Sequence, residues 1–172
     1  ISSFFVGSLL LVGGNGLIAL SETKIPSGIA ALLVASMPIF MVVIDSLIFR
    51  SHKPTAIQIL GLIIGFSGVA YLLNPFSQAH QINSTTLAFS MIALLASFLW
   101  SLGSLLSRKL EKPESLLMYT GMQMLMGAIG LGVMAAIMGE YHGFTFAQVT
   151  TRSWLGFAYL VTFGSLVGFT SY

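Results

Sequence analysis

The sequence predicts an all-α integral membrane protein, a bundle of membrane-spanning helices, and three observations carry that reading. Hydrophobic residues make up 56% of the 172 and charged residues only 7%, against roughly a quarter charged in ordinary soluble domains. The mean hydropathy is +0.94. Uncharged runs long enough to cross about 30 Å of hydrocarbon, which takes about 20 residues in a helix, recur between short polar stretches. Strands are not expected, because a membrane barrel shows short alternating segments instead.

Six spans are predicted in order. The first runs from Ile1 to about Leu20 and ends at Ser21, Glu22, Thr23 and Lys24. A second, from about Ser27 to Phe49, ends at Arg50, Ser51, His52, Lys53 and Pro54, and a third covers about Thr55 to Leu73 before Asn74 and Pro75. After a polar connection from Phe76 to Thr85, the fourth runs from about Thr86 to Leu106 and closes on Arg108, Lys109, Leu110, Glu111, Lys112 and Pro113. The fifth covers about Ser115 to Met138, and after a loop from Gly139 to Arg152 the sixth begins near Ser153 and is cut at Tyr172. With Ile1 as first residue and an apolar run at the other end, the chain reads as an internal piece of a longer protein.

Positively charged residues favour cytoplasmic loops. Arg50 and Lys53 sit in one loop and Arg108, Lys109 and Lys112 in another, while the loops between them hold Lys24, His80 and Arg152. The Arg50 and Arg108 loops are therefore expected in the cytoplasm. Helices in lipid associate through small residues, and three such patterns stand out: Gly61, Gly65 and Gly68; Gly164 and Gly168; and Ala93, Ser97 and Ser101. Asp45, near the end of the second span, reads as a snorkelling carboxylate or one paired locally with Arg50.

Enzymatic chemistry is not expected. His52, His80 and His142 lie in three separate loops, cysteine is absent, and neither HExxH, GxSxG nor a phosphate-binding glycine loop occurs. No metal and no cofactor are predicted, and seven Lys and Arg without a cluster give no footprint for nucleic acid. The partners expected are the lipid bilayer and a small organic solute, with the oligomeric state left open. The Asn83-Ser84-Thr85 sequon reads as incidental.

Uncharged polar and aromatic residues within the spans are the candidates for a solute path. Ser97, Trp100, Ser101 and Ser104 share one face of the fourth span. Tyr119 and Gln123 lie one turn apart on the fifth, and Asn15 and Ser36 lie in the first and second. Pro38 is a candidate kink that frees backbone carbonyls, tolerated where helices line a cavity or pack on neighbours. The alternative for each polar residue is a hydrogen bond between helices, worth about 0.6 kcal/mol.

The run from Asn15 to Pro38, Asn-Gly-Leu-Ile-Ala-Leu-Ser-Glu-Thr-Lys-Ile-Pro-Ser-Gly-Ile-Ala-Ala-Leu-Leu-Val-Ala-Ser-Met-Pro, resembles the second part of an EamA-type repeat, as does Gln58 to Val69. The stretches Ser97 to Arg108 and Gly164 to Tyr172 resemble the opening part of a second repeat. The resemblance is to the drug/metabolite transporter superfamily and covers essentially the whole chain. It implies ten helices in two inverted five-helix repeats with both termini cytoplasmic, of which the six spans here are helices three to eight. Residues 1–74 would then close the first repeat, 75–85 form an extracytoplasmic linker and 86–172 open the second. Gly7-Ser8-Leu9 echoes Gly164-Ser165-Leu166, which fits that correspondence. Relatives often carry a Gly-Glu pair after the second span, where this chain has Arg50-Ser51-His52. The function implied is secondary transport across the inner membrane, as a permease or exporter of a small organic metabolite or drug-like solute by alternating access. The alternative is a non-transporting membrane scaffold or subunit of a larger complex.

Overall fold

The structure, a computed structural model, describes residues 2–50, 54–73, 83–110, 115–141, 145 and 149–168. His52, Lys53, His80, Lys112 and His142, most of the expected 75–85 linker, and the final residues up to Tyr172 lie outside the described residues.

Helix occupies each of the six predicted stretches, and the described residues contain no strand. Four helices are long and apolar enough to cross a membrane: α1 (Ser3–Glu22), α2 (Ser27–Leu47), α4 (Ser84–Lys109) and, over Leu117–Ile137, α5 (Leu116–Ile137). The other two fall short of that measure. α3 (Ala56–Leu73) is apolar over Ala56–Tyr71, and α6 begins as Thr151–Tyr159 and continues as a π-helix over Leu160–Val167.

Local chemistry explains where several helices begin and end. Thr55 and Gln58 form a reciprocal capping box: the Thr55 N–H donates to Gln58 Oε1 at 2.9 Å and the Gln58 N–H to Thr55 Oγ1 at 3.3 Å. Asn83 caps α4 by accepting from the Thr86 N–H at 2.8 Å, so the sequon asparagine serves as a helix start. Ser115 and Thr150 do the same for α5 and α6. The far end of α5 closes on Gly139 with φ 73°, where the Gly139 N–H reaches the Ala136 carbonyl and the Glu140 N–H the Ala135 carbonyl. That pair of bonds is a Schellman cap, and the positive φ favours glycine.

α1 sits at the centre, packed against α4 and α5, and α2 packs on the other side of α4. Glycine makes the central contacts close. A Cβ on Gly7 would stand 2.5 Å from the Gln123 carbonyl oxygen, and one on Gly127 would run into the Leu11 side chain. In lipid, where burying Leu on Leu gains little, the close packing that small residues allow is one source of helix attraction. The predicted glycine stripe on α3 behaves differently. A Cβ on Gly61, Gly65 or Gly68 would meet no described atom within 4 Å, and Gly61 and Gly65 face a cavity instead of a helix. Gly164 and Gly168 likewise meet only atoms of their own helix within that distance. The Ala93, Ser97 and Ser101 stripe is fully buried.

Candidate functional site

Proline creates the first feature of the site. Pro38 has no N–H to give to the carbonyl four residues back, and its ring crowds that carbonyl. α2 accordingly breaks into Ser27–Val34 and Met37–Leu47. At the break the Ser36 and Ile39 N–H groups turn to carbonyls three residues back, at 3.1 and 3.0 Å. In hydrocarbon such a break is tolerated where neighbouring groups bond the backbone around it. α4 supplies two hydroxyls. Ser97 Oγ donates to the Leu33 carbonyl at 3.2 Å and Ser101 Oγ to the Met37 carbonyl at 3.0 Å. Both hydroxyls also lie within reach of their own helix, Ser97 at 3.0 Å from the Ala93 carbonyl and Ser101 at 2.7 Å from the Ser97 carbonyl. Ser36 Oγ bonds back to the Leu33 carbonyl as well.

Beside the kink, α2 and α3 border a cavity of about 850 Å³. Its walls are apolar: Met37, Pro38 and Val42 on one side, Gly61, Gly65 and Phe66 on the other, with Trp100 of α4 at the back. Gln58 is the polar side chain on the lining. Its carbonyl oxygen is engaged in the helix cap, so the amide N–H groups are what it presents. Trp100 is set by α1, since a Cβ on Gly14 would come within 2.5 Å of its ring. Gly14 belongs to a π-helical stretch, Ser8–Gly16, whose wider turn and three glycines, Gly13, Gly14 and Gly16, let the indole lie close to the α1 backbone.

The predicted path residues therefore divide. Trp100 and Pro38 line the cavity. Ser97, Ser101 and Ser36 lie at the kink, bonded to its carbonyls. Tyr119 and Gln123 are buried on α5, and the Gln123 backbone touches Gly7 of α1. Asn15 is exposed on the π-helical stretch. Sequence reasoning placed Gln58, Phe66 and Gly7 only in runs that carry the family resemblance, and assigned no site role to them or to the other tight glycines of α1 and α5. The Thr55-x-x-Gln58 spacing was a legible capping signal, whereas the tight glycines differ from Gly61 and Gly65 only in what faces them.

At one mouth of the bundle, Lys109 Nζ lies 3.7 Å from Asp45 Oδ1 and 4.0 Å from the centre of the Phe49 ring. Asp45 thus pairs across to α4 and not with Arg50, which leaves α2 in a left-handed conformation with φ 49°.

Residues 1–74 match the EamA-like transporter family. The full chain aligns with the uncharacterized inner membrane transporter YedA of Escherichia coli strain K12, 27% identical over 173 residues and 53% of that protein's length. The chain is homologous to EamA-type transporters. It is also similar to the uncharacterized transporter YoaV of Bacillus subtilis, 24% identical over 90% of this chain and 49% of that one. A probable terminal-alkyne amino-acid exporter of Streptantibioticus cattleyicolor is 25% identical over 88% of this chain and 48% of that protein. The chain spans about half the length of the curated relatives it matches. No solved structure matches it. The EamA match takes in α1, α2 and α3, and so both walls of the cavity, while Trp100 at its back comes from α4, beyond the match.

Proposed function

We propose that this chain is part of an inner-membrane secondary transporter, a permease or exporter that carries a small organic metabolite or drug-like solute by alternating access. The observation that carries the reading is the cavity of about 850 Å³ beside the Pro38 kink, a size that suits a drug-like solute. A broken helix whose carbonyls are held by a neighbour is the kind of irregular backbone that membrane carriers place beside a binding site. Kinship with proteins named as transporters supports the same reading.

In this reading the Arg50 and Arg108 loops face the cytoplasm. Residues 1–74 close one inverted repeat, 75–85 link outside the membrane, and 86–172 open the next. The cavity takes an apolar body against Met37, Phe66 and Trp100 and offers the Gln58 amide to an acceptor on the solute.

The test is flux of a labelled solute panel, amino acids included, in liposomes holding the purified full-length protein. Trp100→Ala removes the back wall, and Gly65→Leu fills the cavity from a position with open space at its Cβ. Saturable flux that both changes reduce, with the protein still folded, supports the carrier. A lack of flux under proton and sodium gradients alike would instead favour a scaffold or complex subunit.

A further inference from the structure

Two polar atoms on α5 are buried without partners among the described residues. Tyr119 and Gln123 are 3% and 5% exposed, and Tyr119 Oη and Gln123 Nε2 have no hydrogen-bond partner among the described residues. One helical turn separates the two residues, so they share a face. The Gln123 backbone meets α1, where the bare Gly7 lies against its carbonyl. In hydrocarbon no water makes good a missing bond, so each orphan atom destabilises the conformation that holds it. The buried serines of α4 show that this fold does satisfy polar groups, since Ser97 and Ser101 bond to both their own helix and α2.

We propose that Tyr119 and Gln123 form a hydrogen-bonding subsite for an acceptor oxygen of the transported solute, closed in this conformation by α1 and opened when α1 moves off α5. The inference rests on the transport reading above. Its chemistry follows from the two atoms: an amide nitrogen only donates, and a phenol donates beside it. Side by side they fit a carboxylate or a carbonyl better than an ammonium group. The geometry of α1 suits the movement. Gly7 has no side chain to withdraw, and the π-helical stretch begins at the next residue, Ser8. Such π-helical stretches inside α-helices frequently mark functional sites.

An orphan pair kept for function makes a prediction opposite to that of a structural contact. In the full-length protein, Tyr119→Phe and Gln123→Met remove the unpaired atoms while nearly keeping shape. The unfolding temperature is expected at or above that of the parent, since the orphan cost is gone. Flux of a carboxylate- or carbonyl-bearing solute is expected to fall about tenfold for each change, the loss that goes with one hydrogen bond to a charged or strongly polar group. Lower unfolding temperatures in both variants would mean that the side chains already have partners, and would overturn the proposal. Gln123→Cys, treated with a membrane-impermeant thiol reagent during turnover, is expected to react from one side. Failure to react from either side overturns the opening of the contact. Should the parent carry a solute that both variants carry equally well, this inference falls alone and the transporter stands. If the parent carries nothing, the transport reading falls and the subsite with it.

Discussion

The α1–α5 contact predicts that two glycine-to-alanine changes, alike on paper, act in opposite directions. At Gly7 a new Cβ stands 2.5 Å from the Gln123 carbonyl oxygen and 3.0 Å from its Cα. Both are backbone atoms, so no side chain can rotate away. Restoring an ordinary contact of 3.4 Å opens the helix pair by about 0.9 Å. A gap of that size forfeits a quarter to a half of each contact well, and with a few tens of atom pairs at about 0.1–0.2 kcal/mol each the loss is about 1–3 kcal/mol. Overpacked cores show the same range, about 1–3 kcal/mol. At Gly65 the new Cβ meets no described atom within 4 Å, so alanine there brings only its better helix propensity, a gain of about 0.5–1 kcal/mol.

That propensity gain is common to both sites and cancels in the comparison, which leaves the steric cost as the difference. Thermal unfolding of the full-length protein in one detergent, with the two variants run against the parent, measures it. Gly7→Ala is expected to unfold several degrees below Gly65→Ala, and Gly65→Ala at or above the parent. If Gly65→Ala proves as damaging as Gly7→Ala, the glycine face of α3 is occupied in the intact protein, and the reasoning that leaves it open as a cavity wall is refuted.

Removing the α4 hydroxyls that support the kink, by Ser97→Ala with Ser101→Ala, is expected to cost about 1.2 kcal/mol, two interhelical bonds at about 0.6 kcal/mol each; chemical unfolding in mixed micelles checks it. The Asp45–Lys109 pair has side chains about a third exposed, 35% and 38%, and a double-mutant cycle of Asp45→Asn and Lys109→Met is expected to give less than about 1 kcal/mol, falling with added salt. A coupling of several kcal/mol would show a desolvated pair. These 172 residues hold no cysteine, so in a full-length background with any cysteine elsewhere replaced by serine, single-cysteine labelling reads topology: Arg108→Cys is expected to react from the cytoplasmic side and Thr23→Cys from the opposite one, and the reverse pattern would invert the orientation.

The existence of the helices was legible because the bilayer imposes a length and a composition that the sequence must display, and each predicted apolar stretch contains one. Which small residues pack was not legible in the same way. Gly61 and Gly65 have the spacing of a packing motif but no neighbour within 4 Å of a built Cβ, while Gly7 and Gly127, in less conspicuous settings, are where helices touch. Glycine spacing states that a backbone can be approached; tertiary arrangement decides whether it is. The site was legible in part for a related reason. Pro38 announces a break, and Trp100 in mid-span is costly to leave without a role, so both were found on the cavity. The serines next to them were indistinguishable by sequence from path residues, because a hydroxyl that bonds a neighbouring helix's carbonyl and one that meets a solute have the same spacing. Asp45 was assigned a neighbour by proximity in sequence, whereas Lys109, 64 residues away, comes nearer in space.

One helix links the features described here, and the linkage constrains how the molecule works. α4 holds the break in α2 through Ser97 and Ser101, carries Trp100 into the back of the cavity, and seats that indole on Gly14 of α1. α1 in turn lies on α5 through Gly7 and the Gln123 carbonyl. Movement of α1 away from α5 therefore cannot leave the cavity unchanged, because Gly14 and Gly7 sit on one helix and Trp100 rests on the first of them. The coupling needs no long pathway, only a packed interior that shifts between discrete arrangements rather than deforming smoothly. Gly14→Ala tests the link without altering a residue of α5: its Cβ would displace the indole ring, 2.5 Å away, so Trp100 fluorescence, in a full-length background with every other tryptophan replaced by phenylalanine, is expected to shift. If reactivity of the Gln123→Cys thiol is unaltered by that displacement, the two sites move independently.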